Sequence, residues 1–173
     1  MPLPIASSRN PAIRPVTEDD AARLAEIYNP YVLETTVTFE ESALTPSIMA
    51  TRIAEAANAR LPFLVADVAG EPAGFAYASS WKGRCAYRYS AETTVYVERS
   101  HWGRGLGTAL YQALLDLLRG SGIHAVIGGI ALPNEPSIRL HERLGFTQVA
   151  QFREVGFKFG KWIDVGYWQR LFP

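Results

Sequence analysis

The chain has 173 residues, which is enough for one domain with a hydrophobic core. Lys plus Arg and Asp plus Glu number 17 each, so the formal net charge is zero. This balance argues against a nucleic-acid-binding protein, because such a protein needs an excess of cations to displace counterions from phosphates.

The start of the chain and its single cysteine bear on the cellular compartment. Cys85 has no second cysteine to pair with, which favours a reducing environment. The sequence shows neither a signal peptide nor a run of about 20 apolar residues. Residues 1–12 are predicted to be a loose leader before a single domain at 13–173. We therefore expect a cytoplasmic protein that does not enter a membrane.

The first half of the domain predicts a strand, two helices and three further strands. The strand lies at 13–16, and Thr17 with the carboxylates after it begins a helix. We expect this helix to stop at Asn29-Pro30. Thr45-Pro46 begins the second helix as cap and first helical residue. Three β-prone runs follow, the first two joined by a turn: 61–67, 74–81 and 90–97.

The second half alternates helices and strands. After a glycine-rich stretch, leucines recur at steps of three and four residues and predict a long amphipathic helix that ends at 120–122. The remaining elements are a strand, a helix and two strands: 125–130, 136–144, 148–157 and 162–171. This order predicts one α+β domain, with a mixed central sheet of about six to seven strands flanked by about four helices.

The glycine-rich stretch HWGRGLGTAL, residues 101–110, lies between a strand and a helix N-terminus. Such a turn can hold pyrophosphate on unpaired backbone N–H groups, because glycine lets the ligand approach closely. Neither the dinucleotide fingerprint nor the P-loop pattern fits its spacing. The run Arg104–Gly107 resembles instead the pyrophosphate loop of the GCN5-related N-acetyltransferases, the GNAT superfamily, which hold acetyl-CoA this way. The alternative is a turn that only connects two elements.

A second resemblance to this superfamily follows a buried strand. Asn134 precedes a short helix that ends in a Gly-Phe pair at 145–146. Many members carry in this helix a tyrosine that protonates the departing CoA thiolate, and here the position holds His141. The two residues are 141 − 134 = 7 positions apart, two helical turns, so both can face one side.

The replacement of that tyrosine by histidine is similar to one subfamily, the phosphinothricin and methionine sulfoximine N-acetyltransferases. The resemblance covers about residues 13–171 and is carried by AYASSWKGRCAYRYSAETTVYV, RGLGTALYQALL, LPNEPSIRLHERLGF and GFKFGKWIDVGYWQ. It implies acetylation of the α-amine of a small glutamate-like amino acid, with acetyl-CoA as co-substrate, by a homodimer. One departure is Trp102, which stands where the loop commonly begins with Gln or Arg.

The resemblance also implies which residues bind acetyl-CoA. A backbone N–H near Val97 would hold the thioester oxygen, since the superfamily uses the splayed end of this strand in that way. The implied set comprises the strand end, the glycine loop and the start of the later helix: Val95, Tyr96, Val97, Gly103, Arg104, Gly105, Leu106, Gly107, Thr108, Asn134 and Ser137.

Two side chains are candidates for acid–base catalysis. Glu92 lies in a β-prone, otherwise uncharged run, where a carboxylate is expected to face either a cleft or solvent. Partial burial would raise its pKa towards neutrality, and the resemblance gives this position the proton-abstracting role. His141 could act as a second base or as the acid for the thiolate. The alternative for His141 is a hydrogen-bonded histidine on an apolar helix face.

A cationic and aromatic cluster just before Glu92 suits a zwitterionic acceptor: Lys82, Arg84, Tyr87 and Arg88. A solvated basic loop is the alternative. Phe39 is predicted either to cap the acceptor pocket or to pack as an ordinary loop residue. The aromatic tail GFKFGKWIDVGYWQ is expected to form part of the pocket or a homodimer face. The dispersed histidines and single cysteine show no metal-ligand spacing, so we expect no metal.

The expected function is therefore acetyl transfer by direct attack of an amine in a ternary complex, because no placed nucleophile argues for an acyl-enzyme. One alternative keeps the enzyme class and changes the acceptor to a protein N-terminus, a polyamine or an aminoglycoside. Cationic acceptors would favour an acidic cleft, and the basic cluster argues against them. Another alternative is a CoA-binding domain without catalysis, although Glu92, Asn134 and His141 are all present.

Overall fold

The computed structural model describes residues 11–173, and residues 1–10 of the predicted leader lie outside this range. The strands are β1 Ala12–Pro15, β2 Phe63–Val68, β3 Glu71–Ser80, β4 Ser90–Val97, β5 Ala125–Ala131, β6 Thr147–Lys158 and β7 Lys161–Leu171. They form a seven-stranded sheet in the order β1-β2-β3-β4-β5-β7-β6. The β4–β5 pair is parallel and the other pairs are antiparallel. The predicted α+β fold with a mixed sheet is confirmed.

Four α-helices flank the sheet within the described residues: α1 Ala21–Glu34, α2 Pro46–Asn58, α3 Leu106–Gly120 and α4 Glu135–Arg143. α1 and α2 lie over β2, β3 and β4, α3 packs against the same strands from the other side, and α4 packs against β5. Within residues 11–173, none of the helices is both long enough and apolar enough to cross a membrane.

The prediction that the first helix stops at Asn29-Pro30 is wrong. α1 continues through Pro30 to Glu34, although proline removes one helical hydrogen bond at a typical cost of about 3 kcal/mol. Burial after the proline offsets this cost, because Tyr31 is 9% exposed and Val32 is fully buried. The local preference of Asn29-Pro30 predicts the end of a helix, and the burial of the residues after it keeps the chain helical.

The sheet splits between β4 and β5. Their parallel pairing includes Ser90, Ala91 and Glu92 opposite residues 125–127, and no register pair follows it in the described chain. The later residues of β4 remain paired with β3 alone. The two strands therefore diverge after Glu92 and leave a gap at one end of the sheet.

The two faces of the sheet at this gap differ in what covers them. We call the face of Thr93 and Gly128 the core face, because α3, α4 and the large apolar cluster cover it. We call the face of Glu92, Gly129 and Tyr167 the cleft face. There α1 and α2 lie over β2, β3 and β4, and a cavity lies over β5, β6 and β7. Because neighbouring strand residues point to opposite faces, the side chains of two adjacent residues lie in different surroundings.

Candidate active site

Glu92 lies on the cleft face where β4 and β5 begin to diverge. A Cβ added at Gly129 of β5 would lie 3.4 Å from Glu92 Oε1 and 3.3 Å from Cε1 of Tyr167. The glycine thus leaves room for the carboxylate and for the phenol ring. Partial burial raises the pKa of Glu92 above its ordinary value, and the positive charge of Lys82 opposes the shift. A carboxyl group with a raised pKa is better matched to proton transfer near neutral pH.

A cavity of about 550 Å³ opens on the same face. Its walls include Trp81, Lys82 and Tyr87 on one side and Phe152 of β6 on the other, with Tyr167 of β7 among the lining residues. The Tyr167 ring contacts Trp81 and Phe152 edge-on, with centroids 5.7 and 5.6 Å away. Glu92 and Tyr167 interact electrostatically, because the carboxylate raises the pKa of the phenol further than burial alone. Tyr167 therefore connects the two, because it lines the cavity and interacts with the Glu92 carboxylate, which does not itself line the cavity.

The predicted basic cluster divides into two parts. Lys82 and Tyr87 line the cavity, and the Lys82 ammonium lies 4.9 Å from the centre of the Trp81 ring. Arg84 and Arg88 are exposed residues outside the cavity lining. The Arg88 guanidinium lies over the Tyr89 ring and donates to a backbone carbonyl of the same loop. Arg84 and Arg88 thus differ from Lys82 and Tyr87, because they do not line the cavity.

Phe39 lies on the cleft face, in the loop between α1 and α2. Its ring occupies the space above Gly156 of β6, where an added Cβ would collide with it. The ring is 41% exposed. The loop therefore contacts the strand that carries one wall of the cavity.

The edge of β4 presents backbone donors to the gap. The N–H of Glu98 donates to Ala73 O in the direction of β3, at 2.8 Å. Since pairing alternates along an antiparallel ladder, the N–H groups of Val97 and Val95 point away from β3. The Val97 carbonyl points the same way and accepts from the hydroxyl of Tyr31. The predicted backbone donors therefore face the space between the diverging strands. The Tyr96 side chain instead leaves the plane of the sheet on the cleft face, where it packs on α1.

Trp102 stands at the position where the superfamily commonly has a polar residue, and its indole contacts the end of β4. Its indole N–H lies 2.9 Å from Val97 O and 3.0 Å from the hydroxyl of Tyr31. The indole is 53% exposed, so it leans on the strand end without being buried. Trp102 thus connects the glycine loop to the edge of β4.

Two of the three glycines in the glycine loop have a left-handed backbone conformation. Gly103 and Gly105 have φ values of 73° and 80°, in the left-handed region, and an added Cβ would meet nothing within 4 Å at either. Gly105 is the N-cap of α3 and makes no side-chain cap bond. The first N–H groups of α3, at Leu106, Gly107 and Thr108, precede the first helical hydrogen-bond donor at this end and so suit an anion. Arg104 is an exposed cation in the same loop.

The start of α4 is fixed by Asn134 and Ser137. The Asn134 side-chain oxygen accepts from the Ser137 N–H at 3.2 Å, which is an N-cap. The Ser137 carbonyl lies 2.8 Å from Nδ1 of His141. The Ser137 backbone thus links the predicted cofactor-binding asparagine to the predicted catalytic histidine.

His141 lies on the core face and is 4% exposed. A carbonyl only accepts, so Nδ1 carries the proton that is donated to Ser137 O, and Nε2 accepts from the Tyr111 hydroxyl at 2.9 Å. The Tyr111 hydroxyl in turn lies 2.6 Å from Thr93 Oγ1. Burial lowers the pKa of His141, and the Ser137 carbonyl opposes this shift. The imidazole is therefore neutral at pH 7 with both nitrogens hydrogen-bonded.

The structure does not bring the two predicted acid–base groups together. Glu92 is next to Gly129 on the cleft face, and an added Cβ at Gly128, one residue earlier in β5, would collide with Nε2 of His141. Because consecutive strand residues point to opposite faces, the sheet separates the carboxylate from the imidazole.

Four polar residues around the gap were not singled out from the sequence: Tyr31, Thr93, Tyr111 and Tyr167. Tyr111 carries a detectable signal, because a tyrosine among the leucines of an apolar helix face needs a hydrogen-bond partner. The other three depend on which strands become neighbours. Within the described residues, no group of three or more His, Cys, Asp or Glu side chains is arranged to hold a metal ion.

The sequence is similar to known proteins that are acetyltransferases. The model of the acetyltransferase (GNAT) domain matches residues 13–166. A phosphinothricin N-acetyltransferase of Streptomyces viridochromogenes is 45% identical over 160 residues, covering 92% of this chain and 87% of the relative. An L-methionine sulfoximine/L-methionine sulfone acetyltransferase of Salmonella typhimurium is 38% identical over 160 residues, covering 91% and 92% of the two chains.

A solved structure is similar over nearly the same span. It is a GNAT superfamily phosphinothricin acetyltransferase from Sinorhizobium meliloti in complex with acetyl-CoA. Its TM-score to this chain is 0.90 and its sequence is 33% identical, with 93% of this chain and 88% of that chain covered.

Proposed function

This chain belongs to the GNAT acetyltransferase family, and we propose that it acetylates the α-amine of a small glutamate-like amino acid. It is an acetyl-CoA-dependent acetyltransferase. The proposed acceptors are the compounds named for its relatives: phosphinothricin, methionine sulfoximine and methionine sulfone. The observation that carries the proposal is the half-buried Glu92 on the same face of the sheet as a cavity that is lined in part by Lys82.

The proposed acetyl-CoA site is the gap between β4 and β5 together with the glycine loop. Acetyl-CoA supplies the acetyl group as an activated thioester. The uncapped N–H groups at the start of α3 would bind the pyrophosphate, with Arg104 as a nearby cation. The N–H group of Val95 would pair with the pantetheine chain. Asn134 orders the start of α4 at the other side of the gap.

The proposed general base is Glu92. It would accept a proton from the acceptor ammonium, so that the amine lone pair can attack the thioester carbon directly in a ternary complex. The Val97 N–H would donate to the acyl oxygen, where negative charge develops as the amine adds. Such a donor in a site shielded from water contributes about 3 kcal/mol to transition-state stability. When the adduct collapses, the C–S bond breaks and the amide forms. CoA leaves as the thiol by taking up the second amine proton, and Glu92 returns its proton to solvent.

We assign His141 a positioning role. Its nitrogens hold the Ser137 carbonyl and the Tyr111 hydroxyl, and its lowered pKa keeps it neutral. It therefore fixes α4 against β5 behind the gap, while proton transfer takes place on the other face of the sheet.

Acceptor selection is proposed to depend on the wall of the cavity. Lys82 would pair with a carboxylate or phosphinate oxygen as a point charge, and Tyr87 would donate a hydrogen bond beside it. Arg84 and Arg88 would contribute if the exposed loop closes over the acceptor. Phe39, held on β6, would close the far end of the cleft.

The test is CoA thiol release at saturating acetyl-CoA with a panel of acceptors. The panel contains phosphinothricin, methionine sulfoximine, methionine sulfone, glutamate, spermidine and a short peptide. We expect a high kcat/KM confined to the phosphinate, the sulfoximine and the sulfone. Release with spermidine or the peptide alone would overturn the acceptor assignment and leave the acetyltransferase class standing.

The proposed assembly is a homodimer in the cytoplasm. β6 is an edge strand, and the β6–β7 hairpin exposes a row of large apolar side chains: Val149, Phe152, Val155, Phe157, Phe159 and Trp162. Exposed apolar surface next to an unpaired strand edge favours association. The exposed free thiol of Cys85 fits a reducing compartment. Sedimentation of the purified protein tests the dimer, and a monomer at micromolar concentration would contradict it.

A further inference from the structure

Lys158, at the end of β6, is a buried cation that the proposed chemistry does not use. Its side chain is 1% exposed. The ammonium donates to Val32 O and to Thr38 O, each at 2.7 Å. Buried lysines are rare unless they are paired, so this arrangement needs an explanation.

The two acceptors of Lys158 lie at the end of α1 and in the following loop, which carries Phe39. Val32 lies in the last turn of α1, where carbonyls lack helical partners and the helix dipole favours a cation. Thr38 immediately precedes Phe39 in the α1–α2 loop. Burial lowers the pKa of Lys158, and the carboxylates of Glu41 and Glu40 oppose this shift.

The β6–β7 register places this contact beside the acceptor cavity. Phe152 is opposite Val165 and Gly156 is opposite Ile163, so Gly156 lies two positions along β7 from the cavity wall. Ile163, Val165 and Tyr167 alternate along β7 and therefore share the cleft face. The Phe39 ring over Gly156 thus covers the continuation of the cavity floor.

We propose that Lys158 is a positioning residue for the acceptor: by holding the α1–α2 loop on the β6–β7 hairpin, it places Phe39 at the end of the acceptor cleft. This inference rests on the proposed function. It gives the conspicuous Gly-Phe-Lys run of the tail, residues 156–158, a role in acceptor binding. Gly156 provides the space for the ring, and Lys158 fixes the backbone that carries the ring.

The first test measures the loop without any substrate. K158M has a similar length and no donor, and hydrogen exchange of amides 35–45 is compared with wild type. We expect exchange to accelerate about tenfold, because charge-assisted hydrogen bonds to two carbonyls are lost. K161M is the matched control, since Lys161 is an exposed residue opposite Lys158 across the same turn. Unchanged loop exchange in K158M would overturn the proposal.

The second test separates a positioning role from a general loss of structure. In K158M we expect the acceptor KM to rise about tenfold, while the acetyl-CoA KM stays within about twofold, because the loop contacts the cleft and not the glycine loop. Equal increases in both constants would count against the proposal. If K158M fails to fold, K158Q replaces it, because the glutamine side chain keeps an amide donor. The same increase in the acceptor KM is expected, but it should be smaller.

A double-mutant cycle tests whether Lys158 affects acceptor binding through Phe39. F39A removes an exposed ring and is expected to raise the acceptor KM without affecting folding. If Lys158 acts through Phe39, F39A added to K158M changes the acceptor KM little further. Additive effects would contradict the proposed route. If wild type acetylates none of the panel, the proposed function fails, and the hydrogen-exchange result still decides whether Lys158 holds the loop.

Discussion

The two faces of the sheet at the β4–β5 gap use adjacent residues for opposite purposes. On the cleft face, Glu92 interacts with Tyr167, a residue of the cavity lining, and has a raised pKa. On the core face, His141 is buried with both nitrogens bonded and has a lowered pKa. One residue of register, Gly128 or Gly129, separates the two environments.

This difference shows that burial affects the two groups in opposite chemical directions. Desolvation disfavours the charged form of each, so the carboxyl group gains basicity and the imidazole loses it. The carboxyl group lies on the face of the sheet that carries the cavity, where we propose that the acceptor amine binds. We therefore propose that Glu92 transfers the proton and that His141 supports the structure, and the predictions that follow test this division.

The largest expected effect is that of Glu92→Gln. The amide has the shape of the carboxylate and cannot accept the proton, so kcat/KM should fall by about 10²–10⁴-fold. CoA thiol release with the best acceptor of the panel measures it. Glu154→Gln, a change at an exposed carboxylate of β6, is the control and should keep wild-type rates.

The same variant should be slightly more stable than wild type at neutral pH. Glu92 binds its proton more tightly in the folded state, so folding stability decreases as pH rises from its ordinary pKa of 4.5 through the raised value. Glu92→Gln removes that dependence. For the activity of the same variant, full turnover from pH 6 to 9 would contradict the role of Glu92 as the general base.

The two glycines of β5 form the most direct steric comparison. Gly128→Ala forces a methyl group into the His141 ring and should lower the free energy of unfolding by about 1–3 kcal/mol. Gly129→Ala meets Glu92 and Tyr167 at ordinary or slightly short contact distances. It should fold nearly as well as wild type and mainly raise the acceptor KM. Urea denaturation and acceptor kinetics of both variants test the pair, and a reversal of the two stabilities would contradict the face assignment.

The next effect is that of His141→Gln. We expect a loss of about 1–3 kcal/mol in unfolding free energy, because buried partners lose hydrogen bonds. The reduction in kcat/KM should be much smaller than for Glu92→Gln. The wild-type protein should also lose stability as pH falls below 6.5, since the unfolded histidine takes up a proton that the buried one resists. Chemical denaturation between pH 5 and 8 should show that this dependence is weaker in the variant.

The smallest expected effect is that of Trp102→Phe at the mouth of the gap. The indole N–H that contacts Val97 O is lost, at a cost of about 1 kcal/mol in fixing the strand edge. The acetyl-CoA KM should rise a few-fold, with the acceptor KM unchanged. Leu117→Ala, a change at an exposed residue of α3, is the control. An effect confined to the acceptor would contradict the placement of Trp102 on the cofactor side.

Local chemistry made much of the fold predictable. The Thr45-Pro46 cap and the Ser90–Val97 strand depend on nearest neighbours, and the structure has both of them. Pro30 shows the limit, because its helix continues owing to burial against other elements.

The division of the site could not be predicted from the sequence. Glu92 and His141 both appear as acid–base candidates in the chain, and only the order of the strands places the sheet between them. Likewise, the roles of Arg84 and Arg88 depend on a loop direction that composition does not encode. The family resemblance identified these positions and left their geometry open.

The pH dependence of kcat/KM decides whether Glu92 or His141 is the general base. It is measured with the best acceptor for wild type, Glu92→Gln and His141→Gln. The account predicts that the rate rises with pH through the raised pKa of Glu92 in wild type, and that His141→Gln keeps this limb while Glu92→Gln loses it. A limb that disappears in His141→Gln and persists in Glu92→Gln would make the buried imidazole the base and contradict the division between the two faces.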